Sequence, residues 1–455
     1  MLVFATLAGC AASRPPPAPP DHIVWGSLHL DHGHETRSLV TREIVAGMLD
    51  PEFLTTLPRD ADGEAVYPVL TLSGGGSYVA FAAGLLTGWT EHGDRPAFRV
   101  VTAMSGGALV APWAFLGPDY DARLEEMFTT IETADVYRAG PLGFAGALFA
   151  DGAFDFEPGR GLIERYVTPA VVEAIAAEHR RGRRLYLATA NMDDNVTTLW
   201  DIGEIAASDR PDRVDHIRRI IQASVAVPGL FPPVYFDVEI DGQRYGQMHM
   251  DAQIDFVLLR DFMMAADELV AEQHGLDGLP RARIYAVMST EPTPHYDVPP
   301  QAWGPELGRR ALARIGRYAS YGALDRLYLF ALAHDADLRV AYLPVDFDPG
   351  MPNFAFERDG LTRLYRYGRE QARGGYPWSD APPELPPEER IRRDRAGASR
   401  RRDRLKAETP PAAVRHLRSC RRCGSRRSGP RRCHAARRDE RARLGRARAR
   451  VRVPG

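Results

Sequence analysis

Cysteine is almost absent from this sequence, and its placement limits what the fold can use. The 455 residues include four cysteines, at positions 10, 420, 423 and 433, so residues 11–419 contain none. A disulfide framework is therefore excluded for the main part of the chain, whatever its redox compartment. Hydrophobic residues make up 44% of the chain, which is sufficient for a sizeable core without such cross-links.

Long apolar runs and an excess of positive charge are also missing from the main part of the chain. No stretch approaches the roughly 20 apolar residues that a membrane-spanning helix requires. Residues 390–455 hold 25 basic and 5 acidic side chains, so the part before them carries a net charge of −22. Such an acidic domain is a poor nucleic-acid binder, and we expect no nucleic-acid partner.

The N-terminal residues have the pattern of an anchor and a spacer. A short apolar run ends at Cys10, as in a bacterial lipoprotein signal whose cysteine carries the lipid. Residues 15–20 are prolines except for one alanine, which predicts a stiff, extended spacer. This interpretation anchors residues 1–20 at the bacterial cell envelope, on the outer membrane or the periplasmic face. The alternative is an apolar start with an incidental cysteine. Residues 21–65 form a mixed lead-in.

The C-terminal residues 381–455 are rich in arginine and nearly free of large apolar side chains. Such a composition cannot build a core, so we expect this tail to be disordered. Three interpretations remain: a basic arm for nucleic acid or anionic lipid, a solvated linker, or translation in the wrong reading frame of a GC-rich gene. We favour the last, and we infer no function from the tail.

Residues 66–380 form the predicted domain, in which short apolar strands alternate with helices. This alternation predicts an α/β fold of three layers, α/β/α, around a mostly parallel sheet. The Asp-Gly pair at 241–242 predicts a tight hairpin turn. The expected strands are 66–72, 98–103, 184–190, 197–202, 234–240, 244–250, 284–288 and 341–345, and the expected helices are 78–89, 108–115 and 217–227.

Two glycine-rich turns carry the predicted chemistry. Ser105 follows an apolar strand and precedes Gly106, Gly107 and a helix-forming segment, which is the layout of a nucleophile elbow. About thirty residues earlier, residues 73–77 repeat the strand–glycine–helix pattern as Ser-Gly-Gly-Gly-Ser. Backbone amides of such a loop can stabilise an oxyanion beside a nucleophile.

A serine hydroxyl needs a base, and Asp251 is the best candidate in the sequence. It follows a predicted strand, so its carboxylate is expected at the carboxyl edge of the sheet, where both glycine turns lie. A helix-capping aspartate is the structural alternative. His249 is a rival base, because residues two apart on a strand share a face. A histidine so placed rarely lies between acid and serine, so we favour a structural role for His249.

Taken together, these motifs resemble those of the patatin-like phospholipases. The likeness covers about residues 66–378, and the start of the chain also resembles secreted bacterial members of the family. It implies a Ser105–Asp251 dyad without histidine, and an oxyanion hole formed by the amides of Gly74, Gly75 and Gly76. The resemblance rests on the glycine loop 73–76, the Ser105 elbow, the segment 223–233 (Ala-Ser-Val-Ala-Val-Pro-Gly-Leu-Phe-Pro-Pro) and the segment 249–251 (His-Met-Asp).

The resemblance implies a serine acyl hydrolase of the phospholipase A or lysophospholipase type, acting on phospholipid or another acyl ester. No cofactor and no metal is expected. Three sites depart from the family pattern: Ala103 and Val79 each replace a glycine, and the pair Ala252-Gln253 follows the aspartate where the family prefers glycine. These departures favour a second hypothesis, a catalytically weakened fold that binds lipid or a protein partner.

Overall fold

The computed structural model describes residues 14–19, 24–29, 55–60, 63–140, 151–252, 280–290, 304–383 and 385. All of them belong to the first of two units into which the chain divides, Met1–Ile391 and Arg392–Gly455. The predicted lipid anchor at Cys10, the tail from residue 386 onward and Gln253 lie outside the described residues.

Eleven strands are present among the described residues, and nine of them form one mixed sheet. In chain order they are β1 Ser27–His29, β2 Val66–Leu72, β3 Val100–Met104, β4 Arg138–Ala139, β5 Phe154–Asp155, β6 Arg184–Asn191, β7 Val196–Asp201, β8 Val234–Ile240, β9 Gln243–Asp251, β10 Arg281–Met288 and β11 Asp337–Tyr342.

Five parallel strands form the centre of this sheet in the order β6, β3, β2, β10, β11. Antiparallel strands extend it at the β6 side: β7 pairs with β6, β1 pairs with β7, and the hairpin of β8 and β9 joins β6 through β9. Strands β4 and β5 pair only with each other. The sheet is therefore mostly parallel in its core, as the sequence predicts.

Ten α-helices accompany the strands in the described part of the chain. They are α1 Ala80–His92, α2 Gly107–Leu116, α3 Asp121–Thr130, α4 Thr133–Val136, α5 Glu157–Tyr166, α6 Pro169–Arg180, α7 Ile202–Ala207, α8 Arg213–Val225, α9 Gly304–Ala333 and α10 Arg358–Arg373, and 3₁₀ turns cover Gly76–Val79 and Pro118–Tyr120.

Helices cover both faces of the sheet, so β2 and β3 are buried at every residue. Helices α1, α2, α8 and α10 contribute to the core on one face. Helix α9 packs on the opposite face through residues such as Leu324 and Leu327. This arrangement confirms the three-layer α/β/α class, because a parallel sheet requires apolar cover on both sides. No helix in the described ranges has the length and hydropathy needed to cross a membrane.

The predicted elements agree with the observed ones best where the local pattern is strong. Strand β2 has the predicted bounds, and Asp241 (φ 53°) and Gly242 (φ 77°) form the hairpin turn between β8 and β9. Positive φ at both positions is what a type I′ turn requires. Strand β11 begins at Asp337, four residues before the expected strand, because it pairs with β10 from Arg283 onward. Charged residues in the first half of β11 interrupt the apolar pattern, so the sequence did not indicate this start.

Helices α1 and α10 pack closer together than side chains would permit. A Cβ added at Gly84 would lie 1.8 Å from the carbonyl oxygen of Tyr365, and one at Gly88 would lie 2.1 Å from that of Arg369. On the other helix, a Cβ at Gly368 would lie 2.3 Å from the carbonyl oxygen of Phe81. The two backbones therefore approach each other through glycines. The sequence analysis predicts α1 but does not predict α10.

The proline-rich N-terminal segment lies against the hairpin of β8 and β9. The backbone N–H of Gly246 donates to the carbonyl of Pro16 (2.9 Å). The guanidinium of Arg14 forms two hydrogen bonds to the carboxylate of Asp193, of 2.7 and 3.0 Å. Asp193 lies in the turn between β6 and β7, and it also accepts a hydrogen bond from the N–H of Met248 on β9 (3.0 Å). Residues 14–19 are thus bound to the domain.

Candidate functional site

Ser105 occupies a sharp turn between β3 and α2. Its φ of 51° is left-handed, a conformation that is uncommon for residues other than glycine and that is often found at functional sites. The residue is buried, at 9% exposure. The carbonyl of Ser105 accepts the N–H of Ala108 (2.9 Å), so the turn leads directly into the first turn of α2. This geometry is the one that the elbow pattern predicts.

The glycine loop contacts Ser105 directly. A Cβ added at Gly74 would lie 2.9 Å from the Cβ of Ser105 and 3.3 Å from its Oγ. Only a glycine permits this approach of backbone to hydroxyl. Gly75 (φ 141°) and Gly76 (φ 53°) continue the loop with positive φ. A Cβ at Gly106 would lie 2.6 Å from the carbonyl oxygen of Gly76, so the loop and the elbow fit against each other.

Ser73 fixes the start of this loop to the neighbouring strand. Its Oγ donates to the carbonyl of Gly74 (2.7 Å) and accepts the N–H of Ser289 (3.0 Å), which directly follows β10. The N–H of Ser73 donates to the carbonyl of Val287 on β10 (3.0 Å). The loop is therefore held at the carboxyl edge of the sheet.

The pairing of β9 with β6 places Asp251 at the same edge of the sheet. Strand β7 pairs with residues 186–191 on one side of β6, so β3 and β9 must share the other side. Met104, the last residue of β3, pairs with Ala188, and Asp251, the last residue of β9, pairs with the next residue, Thr189. The carboxyl ends of β3 and β9 thus meet: Met104, which directly precedes Ser105, and Asp251 pair with adjacent residues of β6.

The side chain of Asp251 lies on the sheet face that carries α2 and α8. Directly paired residues point to the same face, and Thr189 lies on the face of Trp200, whose indole N–H donates to its hydroxyl (2.8 Å). Trp200 belongs to the core formed with α2 and α8. Asp251 is buried, at 4% exposure. The carboxylate therefore lies on the same face as the helix that begins two residues after Ser105.

His249 is fully buried in an aromatic environment. Its Nδ1 lies 2.9 Å from the hydroxyl of Thr189, and its Nε2 lies 3.5 Å from the side-chain oxygen of Gln247. The ring packs against Trp200 and Phe236, with centroids 5.3 and 5.1 Å away. Both ring nitrogens face polar groups of the sheet, which favours the structural role expected for this histidine.

Ser224 connects the predicted nucleophile to its supporting strand, and the sequence analysis assigned it no role. Its hydroxyl accepts the backbone N–H of Ser105 (3.0 Å) and donates to the carbonyl of Ala188 on β6 (2.9 Å). Two residues later, the carbonyl of Ala226 accepts the N–H of Asp251 (2.9 Å). The only sign of this connection in the sequence analysis was the segment 223–233, which was named there because it resembles a segment of the patatin-like phospholipases.

Of the departures from the family pattern, the three in the described residues fit the backbone without visible strain. Val79 has a φ of −62°, so a β-branched side chain is compatible with its conformation. Ala103 is a buried residue of β3, in register with Leu72 and Leu187. Ala252 is buried in the core next to α9. None of the three blocks the contact between the glycine loop and Ser105.

The carboxyl of Asp201, whose pKa is shifted by burial, lies away from this edge. Asp201 ends β7 opposite Tyr186, toward the amino end of β6. Burial raises the pKa of Asp201 to about 6, although Arg184 opposes the shift. Its carboxylate accepts the N–H of Glu204 (2.8 Å) and caps α7, which is a structural task.

In the described ranges, no group of three or more His, Cys, Asp or Glu side chains is arranged to hold a metal ion.

The chain was compared with solved structures, curated proteins and family models, and the family model supports the resemblance. Among solved structures, the crystal structure of VipD from Legionella pneumophila aligns with 10% sequence identity over 70% of each chain, with a TM-score of 0.34. No curated protein matches the chain at a significant level. The family model for patatin-like phospholipases matches residues 70–252. Both glycine turns, Ser105 and Asp251 fall within this range. Residues 70–252 are therefore similar in sequence to the patatin-like phospholipases.

Proposed function

We propose that this chain hydrolyses acyl esters of lipids, in the manner of a phospholipase A or lysophospholipase, with Ser105 as nucleophile and Asp251 as base. One observation carries the proposal: a strained serine at the carboxyl edge of the sheet has Gly74 against its hydroxyl, and its preceding residue Met104 pairs with β6 next to the residue that pairs with Asp251. These are the three groups that acyl transfer to a serine requires.

The reaction proceeds in two steps. The Asp251 carboxylate takes the proton of the Ser105 hydroxyl while Oγ attacks the ester carbonyl carbon. The carbonyl oxygen becomes an oxyanion, which the amides of Gly74, Gly75 and Gly76 stabilise. The carbon–oxygen ester bond then breaks, and the leaving alcohol takes the proton from Asp251. In the second step, Asp251 takes a proton from water while the oxygen of this water attacks the acyl-enzyme carbonyl carbon. The bond from this carbon to Oγ then breaks, Asp251 returns the proton to Oγ of Ser105, and the fatty acid leaves.

Burial supports the role of Asp251 as a base. At 4% exposure, Asp251 is largely shielded from water, and a site that excludes water strengthens the electrostatic interactions inside it. The backbone of Asp251 is fixed by Ala226 of the segment that also holds Ser105. The proposed base and nucleophile are thus positioned by a common element.

Hydrolysis of a short-chain p-nitrophenyl ester by the purified protein tests this proposal. Ser105→Ala and Asp251→Asn are each expected to lower kcat by about 10³-fold or more. Asp241→Asn is the matched control, since Asp241 is exposed in the turn of the same hairpin and asparagine accepts its positive φ. Full activity of Ser105→Ala would refute the assignment.

Labelling with a fluorophosphonate probe separates this proposal from the alternative of a lipid-binding fold without catalysis. An activated Ser105 reacts with the probe, whereas an inactive one does not. We expect labelling of the native protein and of Asp241→Asn, and none of Ser105→Ala. A native protein that binds lipid vesicles but remains unlabelled would favour the binding module.

We also propose that Cys10 carries a lipid that holds the protein at the bacterial cell envelope. The bound segment 14–19 supports this placement. Arg14 follows Cys10 by four residues, a span of at most about 14 Å. Asp193, its partner, lies just beyond the carboxyl end of β6, the end at which Ser105 lies. The anchor would therefore hold the site close to the membrane. Incorporation of labelled palmitate into the native chain, and its loss in Cys10→Ser, tests the proposal.

A further inference from the structure

The loop of residues 351–356, which we call the covering loop, lies against the glycine loop. A Cβ added at Gly76 would lie 2.5 Å from Oδ1 of Asn353 and 2.9 Å from the nearest ring carbon of Phe354. Gly76 also fits against the elbow, since a Cβ added at Gly106 would lie 2.6 Å from its carbonyl oxygen. The covering loop therefore contacts the same glycine that packs beside Ser105.

The covering loop has a strained backbone at this contact. Phe354 has a φ of 69°, which is an outlier for a bulky side chain. The Oδ1 of Asn353 accepts the N–H of Phe354 (2.8 Å), and the N–H of Ala355 donates to the carbonyl of Pro352 (3.1 Å). Such strain persists only where the surrounding structure holds it, and it is frequent at functional sites. The direction of the Phe354 ring is thus fixed toward Gly76.

Two tyrosine hydroxyls bind the covering loop to its surroundings. The hydroxyl of Tyr78, two residues after Gly76, donates to the carbonyl of Met351 (3.0 Å). The hydroxyl of Tyr137, which directly follows α4, donates to the carbonyl of Phe354 (2.8 Å). The loop is therefore attached both to the 3₁₀ turn that continues the glycine loop and to the end of α4. These bonds keep its side chains at the glycine loop.

We infer that Asn353 and Phe354 are positioning residues of the proposed site, which hold Gly76 in its left-handed conformation (φ 53°) and so fix the amides of the oxyanion hole. The inference rests on the proposed function. Oxyanion stabilisation requires donors that are preorganised before the reaction, and a displacement of about 1 Å can lower a rate about a hundredfold. The covering loop lies outside residues 70–252, the range that matches the family model, so the resemblance does not include this support.

Phe354→Gly tests the inference, because it removes the ring while glycine adopts the positive φ of this position without strain. We expect kcat for a short p-nitrophenyl ester to fall about tenfold with KM unchanged. Phe347→Gly is the matched control and should keep the native kcat. Phe347 is also a half-buried phenylalanine between β11 and α10, and it packs on Tyr367 with centroids 4.3 Å apart. Asn353→Ala removes the acceptor of the Phe354 N–H and, as a second variant, should lower kcat in the same way.

A trifluoromethyl ketone measures oxyanion stabilisation directly, which a merely structural role would not change. Oγ of Ser105 adds to the carbonyl carbon of hexyl trifluoromethyl ketone, Asp251 takes the proton, and the carbonyl oxygen becomes an oxyanion in the proposed hole. We expect its Ki to rise about tenfold in Phe354→Gly and to stay native in Phe347→Gly. A native Ki and a native kcat in folded Phe354→Gly and Asn353→Ala would overturn the inference.

Amide hydrogen exchange tests the covering loop without any turnover. In Ser105→Ala protein, we expect the peptide that spans residues 73–79 to exchange about tenfold faster when Phe354→Gly is added, and at the original rate when Phe347→Gly is added. Unchanged exchange with Phe354→Gly would overturn the inference, whether or not the native protein hydrolyses esters. If exchange accelerates but the native protein hydrolyses no ester, the covering loop still holds the glycine loop and the proposed function fails.

Discussion

At the scale of single residues, the hydroxyl of Ser224 links the groups on which the proposed chemistry depends. It accepts the N–H of Ser105 and donates to the carbonyl of Ala188. These bonds tie the strained turn to β6, the strand that also pairs with Asp251. A left-handed serine persists only where its surroundings hold it. We therefore regard Ser224 as a positioning residue, which does not itself touch the substrate.

Ser224→Ala is expected to slow fluorophosphonate labelling of Ser105 about tenfold, with KM for a short ester unchanged. The variant leaves the N–H of Ser105 and the carbonyl of Ala188 without this partner, at a cost of about 1–3 kcal/mol of stability. Ser27→Ala is the control, since Ser27 is a buried serine on β1 that donates to the carbonyl of Val24 (2.6 Å). Ser27→Ala should lower the free energy of unfolding and leave the labelling rate of Ser105 unchanged. Equal labelling rates in the two variants would contradict the positioning role.

At the scale of elements, the contact between α1 and α10 decides whether the helix after the glycine loop is held in place. Helix α1 begins directly after Val79, at the end of the 3₁₀ turn that continues the loop. Gly84 and Gly88 lie on its side toward α10. Because these contacts are between backbones, no side-chain rearrangement can relieve an added methyl group there.

Gly84→Ala is expected to destabilise the protein by about 3 kcal/mol, since its Cβ would lie 1.8 Å from the carbonyl oxygen of Tyr365. Gly161→Ala on α5 is the matched control, because nothing lies within 4 Å of the Cβ position there. This change should be neutral or stabilising by up to about 1 kcal/mol. Urea unfolding measures both, and equal midpoints would refute the close packing of the helices.

At the scale of the whole molecule, buried histidines make stability depend on pH. His216 packs against Trp25, Trp200 and Phe236, and its Nε2 lies 3.3 Å from the carbonyl oxygen of Trp25. Burial lowers the pKa of His216 to about 4. The folded state therefore holds the neutral ring while the unfolded state gains a proton below its ordinary pKa of about 6.5. The contribution of the neutral His216 ring to stability is fully present above that pH and is lost as the pH falls toward 4.

His216→Gln is expected to reduce the loss of unfolding free energy between pH 7 and pH 5 by about 2 kcal/mol. His92→Gln, at an exposed histidine, should leave that loss unchanged. Urea titrations at the two pH values provide the comparison. Burial also lowers the pKa of His179 to about 4, so a smaller pH dependence remains in the variant. The same slope in His216→Gln as in the native protein would contradict the argument.

The sequence predicted the local features well because each depends on neighbouring residues. The Asp-Gly pair predicted the hairpin turn at Asp241, and consecutive glycines indicated the loop that contacts Ser105. It did not predict the role of Ser224, because this role depends on a contact with a distant part of the chain. The hydroxyl of Ser224 is 119 residues from the N–H it accepts, and no local pattern encodes such a bond.

By itself, the sequence determined the α/β class, the elbow at Ser105 and the candidacy of Asp251, since alternating patterns and glycine positions act on the backbone nearby. Only the tertiary structure decided that β3 and β9 end against each other on one side of β6. It also decided that Asn353 and Phe354 lie against Gly76. Strand order and such contacts arise from packing between residues far apart in the chain, and such packing is settled when the whole core forms.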